Sequence, residues 1–362
     1  MKLVTFRVND VEHIGFLING KVIDMKACYD AYLSKTEKPP ANYNFANMVS
    51  FLRRGESAIE LVKNLESFIS EGFRADEEIR GPKGEKVVYD EEEVKFKAPL
   101  IPSKLILMGG TYPTHSGVSR PSGVAHKITR EELIKEVLEG RVVRRPIAMF
   151  LPSSSVTGPD EEVFIPAPFE KASTHHELTL VIGKRGHNIP RKEVYDHIVG
   201  YTILNDITIR DIYTEDQMKK HGWHGFPEDK AYDTTAPLGP HIVTKDEILD
   251  PHNLNLDLKV NGKTILKGNT GDMTILWDIP KIVEHCSRIC TLEVGDVIAT
   301  GAPGPLPGET DLLKTGDTIE AMIEGIGCLR NTVKFEVDVN PSARTRRRAP
   351  ELALPNDGNQ YV

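Results

Sequence analysis

ASTHHELTLVIGKRGHNIPRKEVYDHIVGYTILNDITIRD, residues 172–211, is the most informative stretch of this chain. Two apolar runs, ELTLVIG and VGYTILNDI, are rich in β-branched residues and bounded by Gly, Asn and Pro, so both are predicted to be strands. On a strand over 174–182, His175 and Glu177 share one face and His176 takes the other. The second run ends in Asn205 and Asp206. Downstream, LGPHIVT, LNLDLKVNG, VIATGAP, DTIEAMIEGIG and NTVKFEVDV continue the pattern, with Leu254, Leu256 and Leu258 on one face of their strand. WDIPKIVEHCSRIC is the one clear helix among them. Strands in succession, without a helix after each, exclude a βαβ repeat and predict an α+β, mainly β, body.

Upstream, residues 1–95 read as a small α+β domain. KLVTFRV and HIGFLINGKVID carry a hairpin signal at Asn19-Gly20, and FANMVSFLRR and SAIELVKNLESFIS have helical apolar spacing. Residues 96–340 form the main domain. Within it, 119–146 looks like a lid-like insertion, with a helix in ITREELIKEVLEGRVV opened by a Thr129/Glu132 capping box. Residues 341–362, with RTRRR, read as an extended or disordered arm.

The 45 basic and 53 acidic side chains leave a net charge of −8, which argues against non-specific nucleic-acid binding. No apolar run reaches the ~20 residues that span a bilayer. The start, MKLVTFRVNDVEHIGF, is unlike a signal peptide, and a reducing cytoplasm is the expected setting. Four cysteines give no disulfide framework, and Cys286 and Cys290 are expected to pack on a helix.

Five local patterns carry possible chemistry. His175 and Glu177 on one strand face make half of a metal site, suited to Mn²⁺, Fe²⁺ or Zn²⁺ better than Mg²⁺. Asp206 can complete it. Lys230, in DKAYDTTAPLGPHIV, can face a developing oxyanion. Thr300 and Gly301, closing VIATG, can hold a carboxylate. Tyr112 and His115 follow a glycine turn, and a loop histidine suits proton transfer. Each alone also fits a plain structural role: a strand-end aspartate, a surface lysine or histidine, a hairpin turn.

The blocks HHELTLVIGKRGHNI, VGYTILNDITIRD, KAYDTTAPLGPHIV, TGDMTILWDIPKIVEH, TLEVGDVIATGAPG and EGIGCLRNTV occur in that order between Leu105 and Val333. In this the chain resembles the fumarylacetoacetate hydrolase family. The resemblance implies a mixed β-roll, a homodimer, and a divalent cation, Mg²⁺ or Mn²⁺, held by Glu-x-Glu on a strand and a later Asp. Matched by residue, the second Glu is Glu177 and the Asp is Asp206, while the first Glu falls on His175. That departure admits Fe²⁺ or Zn²⁺, or loss of the metal. Lys230 matches the family lysine and Thr300 the threonine of the T-G turn. Tyr112 and His115 match the N-Y-x-x-H loop. The Glu that many hydrolytic members carry three residues later is Val118 here. The family Lys-Pro-x-Ser segment reads Leu151-Pro152-Ser153-Ser154, without its lysine.

The resemblance implies a metal-dependent hydrolase or lyase on a 2-oxo or 1,3-diketo acid, working through a cation-stabilised enolate, as in aromatic catabolism. C–C hydrolysis is favoured. Dehydration, decarboxylation and isomerisation of the same substrates are alternatives. Lys230 would meet the oxyanion, Thr300 and Gly301 the carboxylate, and His115 would move the proton, alone or with Glu131 or Glu132. Two other classes compete: a non-haem Fe(II) oxygenase, which needs a third histidine such as His221, His224 or His241, and a non-catalytic relative. His221, Trp223 and His224, just before Lys230, suggest a bulky or aromatic acyl portion.

Overall fold

The computed structural model describes residues 1–36, 39–75, 78–112, 118–119, 125–126, 135, 139, 147–212, 227–306 and 308–336. The first region holds strands β1 (Lys2–Val8), β2 (Val11–Ile18) and β3 (Lys21–Asp24), helices α1 (Met25–Thr36), α2 (Met48–Leu52) and α3 (Glu56–Arg74), then β4 (Val88–Asp90) and β5 (Lys95–Lys97). Next come β6 (Leu105–Gly109), β7 (Val118–Ser119), β8 (Ala125–His126), β9 (Ile147–Leu151), β10 (Val156–Thr157) and β11 (Glu162–Ile165). The central pair is β12 (Ala172–Ile182) and β13 (Ile198–Ile209), linked through helix α4 (Val194–His197). The last part contains β14 (Ala236–Thr244), β15 (Asn255–Val260), β16 (Lys263–Asn269), α5 (Ile279–Ile289), β17 (Val297–Ala299), β18 (Thr318–Ile323) and β19 (Gly327–Phe335).

These strands build a mainly β molecule with a mixed sheet, as the resemblance implied. The large sheet runs β4-β3-β2-β1-β14-β13-β12-β17-β6-β9, and a five-stranded sheet runs β11-β19-β18-β15-β16. Most ladders are antiparallel, but β17–β6, β10–β14 and β11–β19 are parallel. The Asn19-Gly20 turn forms between β2 and β3, both residues at positive φ (51° and 72°), as a type I′ turn requires. Strand β1 bonds β14, so the first strands extend the same sheet that holds the central pair.

Period-two alternation sorts the two faces. Leu178, Leu180 and Ile182 of β12 meet Leu256, Leu258, Ile319 and Ala321 of the second sheet, with Ile282, Val283 and Cys286 of α5. On the opposite face, Val181, Leu204 and Leu238 pack with Leu61, Val62, Leu65 and Ile69 of α3. Each Leu, Ile or Val among them contributes about 1.5–3 kcal/mol by leaving water. Helix α5 starts at Asp278, whose side chain accepts from the Lys281 amide at 2.8 Å. All four cysteines are free thiols, and Cys286 is buried on α5. Among the described residues no helix is long and apolar enough to cross a membrane.

Candidate active site

Every residue of β12 is buried between β13 and β17. A polar side chain there needs a partner. The antiparallel register sets His175 opposite Asp206 and Glu177 opposite Leu204. His175, Glu177, Asp206 and Thr208 therefore share one face, two residues apart along each strand. His176 takes the other face. Its Nε2 lies 3.2 Å from the Met322 carbonyl, and burial holds its pKa down at about 4.

Lys230 precedes β14 and is buried among these groups. Its Nζ donates to Asp206 Oδ2 and, at 2.7 Å, to Thr208 Oγ1. The Thr235 hydroxyl fixes the Lys230 carbonyl at 2.6 Å. Glu177 Oε2 accepts from the Gly301 amide at 2.7 Å. Burial first, and the neighbouring Asp206 charge second, push the Glu177 carboxyl well above the ordinary range, against the pull of Lys230 and the Gly301 amide. Asp206 Oδ1 is buried without a hydrogen-bond partner among the described residues.

Gly301 must be glycine. Its φ is +92°, and a Cβ there would lie 1.9 Å from Thr111 Oγ1. The Thr111 hydroxyl in turn donates to the Thr300 carbonyl at 2.7 Å. Tyr112 is fully buried, and its hydroxyl has no partner among the described residues. Burial, then the charges of Glu177 and Asp272, raise its pKa.

The sequence reading gave the Thr300 hydroxyl and Gly301 amide to a substrate carboxylate. In the structure the hydroxyl donates to the Leu178 carbonyl at 2.9 Å and the amide holds Glu177. His175, read as a ligand, has its Nε2 2.9 Å from Asp311 Oδ2. Asp311 and Thr208 escaped the sequence reading. Thr208 follows from counting two positions beyond Asp206 on the strand, but nothing local marks Asp311. His241 Nε2 lies 2.7 Å from the Ile326 carbonyl, against the five-stranded sheet. His115, Glu131, Glu132, His221, Trp223, His224 and the 341–362 arm lie outside the described residues, as does the Val118 side chain. So does the helix predicted within 119–146, save for a Glu139 amide bonding the Lys135 carbonyl at 3.0 Å.

Whether these side chains suit a divalent cation is a question of charge and of free lone pairs. Glu177 and Asp206 are two buried carboxylates beside one ammonium, and Asp206 keeps an oxygen unpartnered among the described residues. That fits a hard cation, which takes one or two carboxylates and completes its shell with water or substrate oxygens. Among the described residues no three His, Cys, Asp or Glu side chains close into a full ligand set.

Residues 122–334 match the fumarylacetoacetate (FAA) hydrolase C-terminal family. A mitochondrial oxaloacetate tautomerase of Xenopus laevis is 31% identical over 342 residues, covering 92% of this chain and 90% of its own. The fumarylacetoacetate hydrolase of Exiguobacterium antarcticum superposes with a TM-score of 0.66 at 26% identity, over 93% of this chain and 100% of that one. The maleylpyruvate hydrolase of Sphingobium sp. SYK-6, solved with manganese(II) and pyruvate, gives 0.62 at 25%, with the same coverage. By the family match and by a relative of nearly its full length, this chain belongs to the fumarylacetoacetate hydrolase family.

Proposed function

We propose that this protein interconverts the keto and enol forms of a 2-oxo carboxylic acid, assisted by a divalent cation. The observation that carries this reading is the buried pair Glu177 and Asp206 beside the Lys230 ammonium, with Asp206 Oδ1 unpartnered among the described residues. A divalent cation held by Glu177 and Asp206 would polarise the 2-oxo group as a Lewis acid. Mn²⁺ and Mg²⁺ suit the two carboxylates, and the His175 imidazole extends the range to Fe²⁺ or Zn²⁺.

The chain's own groups do the rest. Lys230 Nζ, held by Asp206 and Thr208, presents a fixed positive charge to the oxygen that becomes negative on enolisation. Gly301 keeps Glu177 in place. The Tyr112 hydroxyl, without a partner among the described residues, is offered to a substrate oxygen. His115 takes the proton from the carbon next to the carbonyl and passes it to the enolate oxygen, and in the reverse direction carries it from the enol oxygen to that carbon.

Two observations favour proton transfer over water attack. Position 118 is Val, without the carboxylate that would help His115 activate water, and the tautomerase relative spans 92% of the chain. C–C bond hydrolysis of an acylpyruvate is the second reading, supported by the hydrolases among the structural neighbours. A homodimer in the cytoplasm belongs to the same proposal.

The test follows ultraviolet absorbance of enol-oxaloacetate and of an acylpyruvate with purified protein, with EDTA and after adding Mn²⁺ or Mg²⁺. Enol decay that EDTA stops and metal restores is the expected result. Faster cleavage of the acylpyruvate would establish the second reading. Turnover indifferent to EDTA would overturn the role of the cation.

A further inference from the structure

His175 stands where the family resemblance has a glutamate, so the ligand face has lost one negative charge. A nearby carboxylate answers it. The His175 imidazole, buried on β12 and opposite Asp206 in the ladder, has Nε2 2.9 Å from Asp311 Oδ2. That contact is built by the backbone. The Thr174 amide donates to the Asp311 carbonyl at 3.2 Å, and the Leu313 amide to the Ala172 carbonyl at 2.9 Å. Ser173 and Leu312 form an antiparallel bridge between them. Residues 311–313 therefore run antiparallel along the start of β12 through this single bridge, which sets the carboxylate against the ring. Arg210 approaches the same Oδ2 from the rim at 3.9 Å, with its Nε donating to Ser173 Oγ at 2.6 Å.

An ionised carboxylate only accepts hydrogen bonds, so the ring nitrogen facing Asp311 carries the proton. In the neutral ring Nδ1 is then the nitrogen with the lone pair, the form in which imidazole binds a cation. A carboxylate behind a metal-binding histidine fixes the tautomer and raises the basicity of the ring.

We propose that Asp311 is a positioning residue for the cation site. It holds His175 in the tautomer that binds through Nδ1, and it returns, one residue back from the ion, the negative charge that the histidine removed. The inference rests on the cation reading above and deepens it.

The test is Mn(II) binding, followed by the electron paramagnetic resonance of the free ion. It compares wild type, Asp311→Asn, His175→Ala and the double variant, with melting curves of the cation-free proteins to show that each folds. Asp311→Ser takes the place of Asp311→Asn if that variant does not fold. Loss of Asp311 is expected to weaken Mn(II) binding roughly 10–100-fold. In the His175→Ala background the same change should alter it no more than about twofold, since coupled residues are not additive. Unchanged affinity on losing Asp311 overturns the inference. An equal loss with and without His175 also overturns it, because the carboxylate then acts by charge alone. No Mn(II) binding by the wild type overturns the cation reading itself, and this inference with it.

Discussion

Lys230 is the residue on which the proposed chemistry can be read most directly. Its ammonium sits on Asp206 and Thr208, so replacing it removes a charge from the reacting oxygen and from the cation site together. Lys230→Met should lower kcat by roughly 10²–10³, the loss typical of one oxyanion donor. The same change leaves Glu177 and Asp206 without their counter-ion, so Mn(II) affinity should hold or rise. Steady-state kinetics and metal titration on one preparation would show the split, and a parallel fall in both would reduce Lys230 to a structural prop. Tyr112→Phe makes a complementary case. The hydroxyl is buried with no partner among the described residues, so its loss should shift stability by less than about 1 kcal/mol. A drop in kcat/KM without a change in melting temperature would mark it as a group meant for substrate.

At the scale of elements, the turn after β17 shows how local geometry serves the site. Gly301→Ala meets two costs, the positive φ and a Cβ 1.9 Å from Thr111 Oγ1. At Gly308, φ is +81° but a Cβ meets nothing within 4 Å among the described residues. Gly308→Ala should therefore cost only the left-handed penalty, about 1–2 kcal/mol. Gly301→Ala should cost clearly more, and should release Glu177 from its amide. Urea unfolding of the two variants measures the difference, and equal losses would refute the packing argument. The strands themselves were legible because side chains alternate with period two. His175 and Glu177 on one face, and His176 on the other, follow from that period alone. Pairing partners were not legible. Nothing in KLVTFRV marks it for β14, and nothing in TDLLK marks Asp311 for His175, because ladder hydrogen bonds use backbone groups that every residue carries.

For the whole molecule, the join between the large sheet and the five-stranded sheet is a pH-dependent quantity. His241 on β14 meets the Ile326 carbonyl of the facing layer. Burial, with Lys2 and the terminal ammonium nearby, holds its pKa down at about 4 against the pull of that carbonyl. Between that value and the ordinary ~6.5 the unfolded chain binds the extra proton, so stability rises with pH across this window. The contribution is complete above the ordinary value and is lost towards pH 4, on the order of 3 kcal/mol for this one group. Chemical denaturation at pH 7 and pH 4.5 should show a steeper loss in the wild type than in His241→Gln. Some slope should survive in the variant, since burial also lowers His176 and His252. Identical slopes would mean that His241 is solvated in the folded state.

By itself, the sequence determined the mainly β character, the strand faces, the order of the family blocks and the candidacy of Glu177, Asp206 and Lys230. These depend on short-range periodicity and on residue type, which the chain carries locally. Only the tertiary structure decided that Lys230 lies on Asp206, that the Gly301 amide holds Glu177, and that Asp311 stands behind His175. Those contacts join residues far apart in the chain. Their partners are chosen by how the strands pack and by the need to satisfy every buried polar group, and neither has a local mark in the sequence.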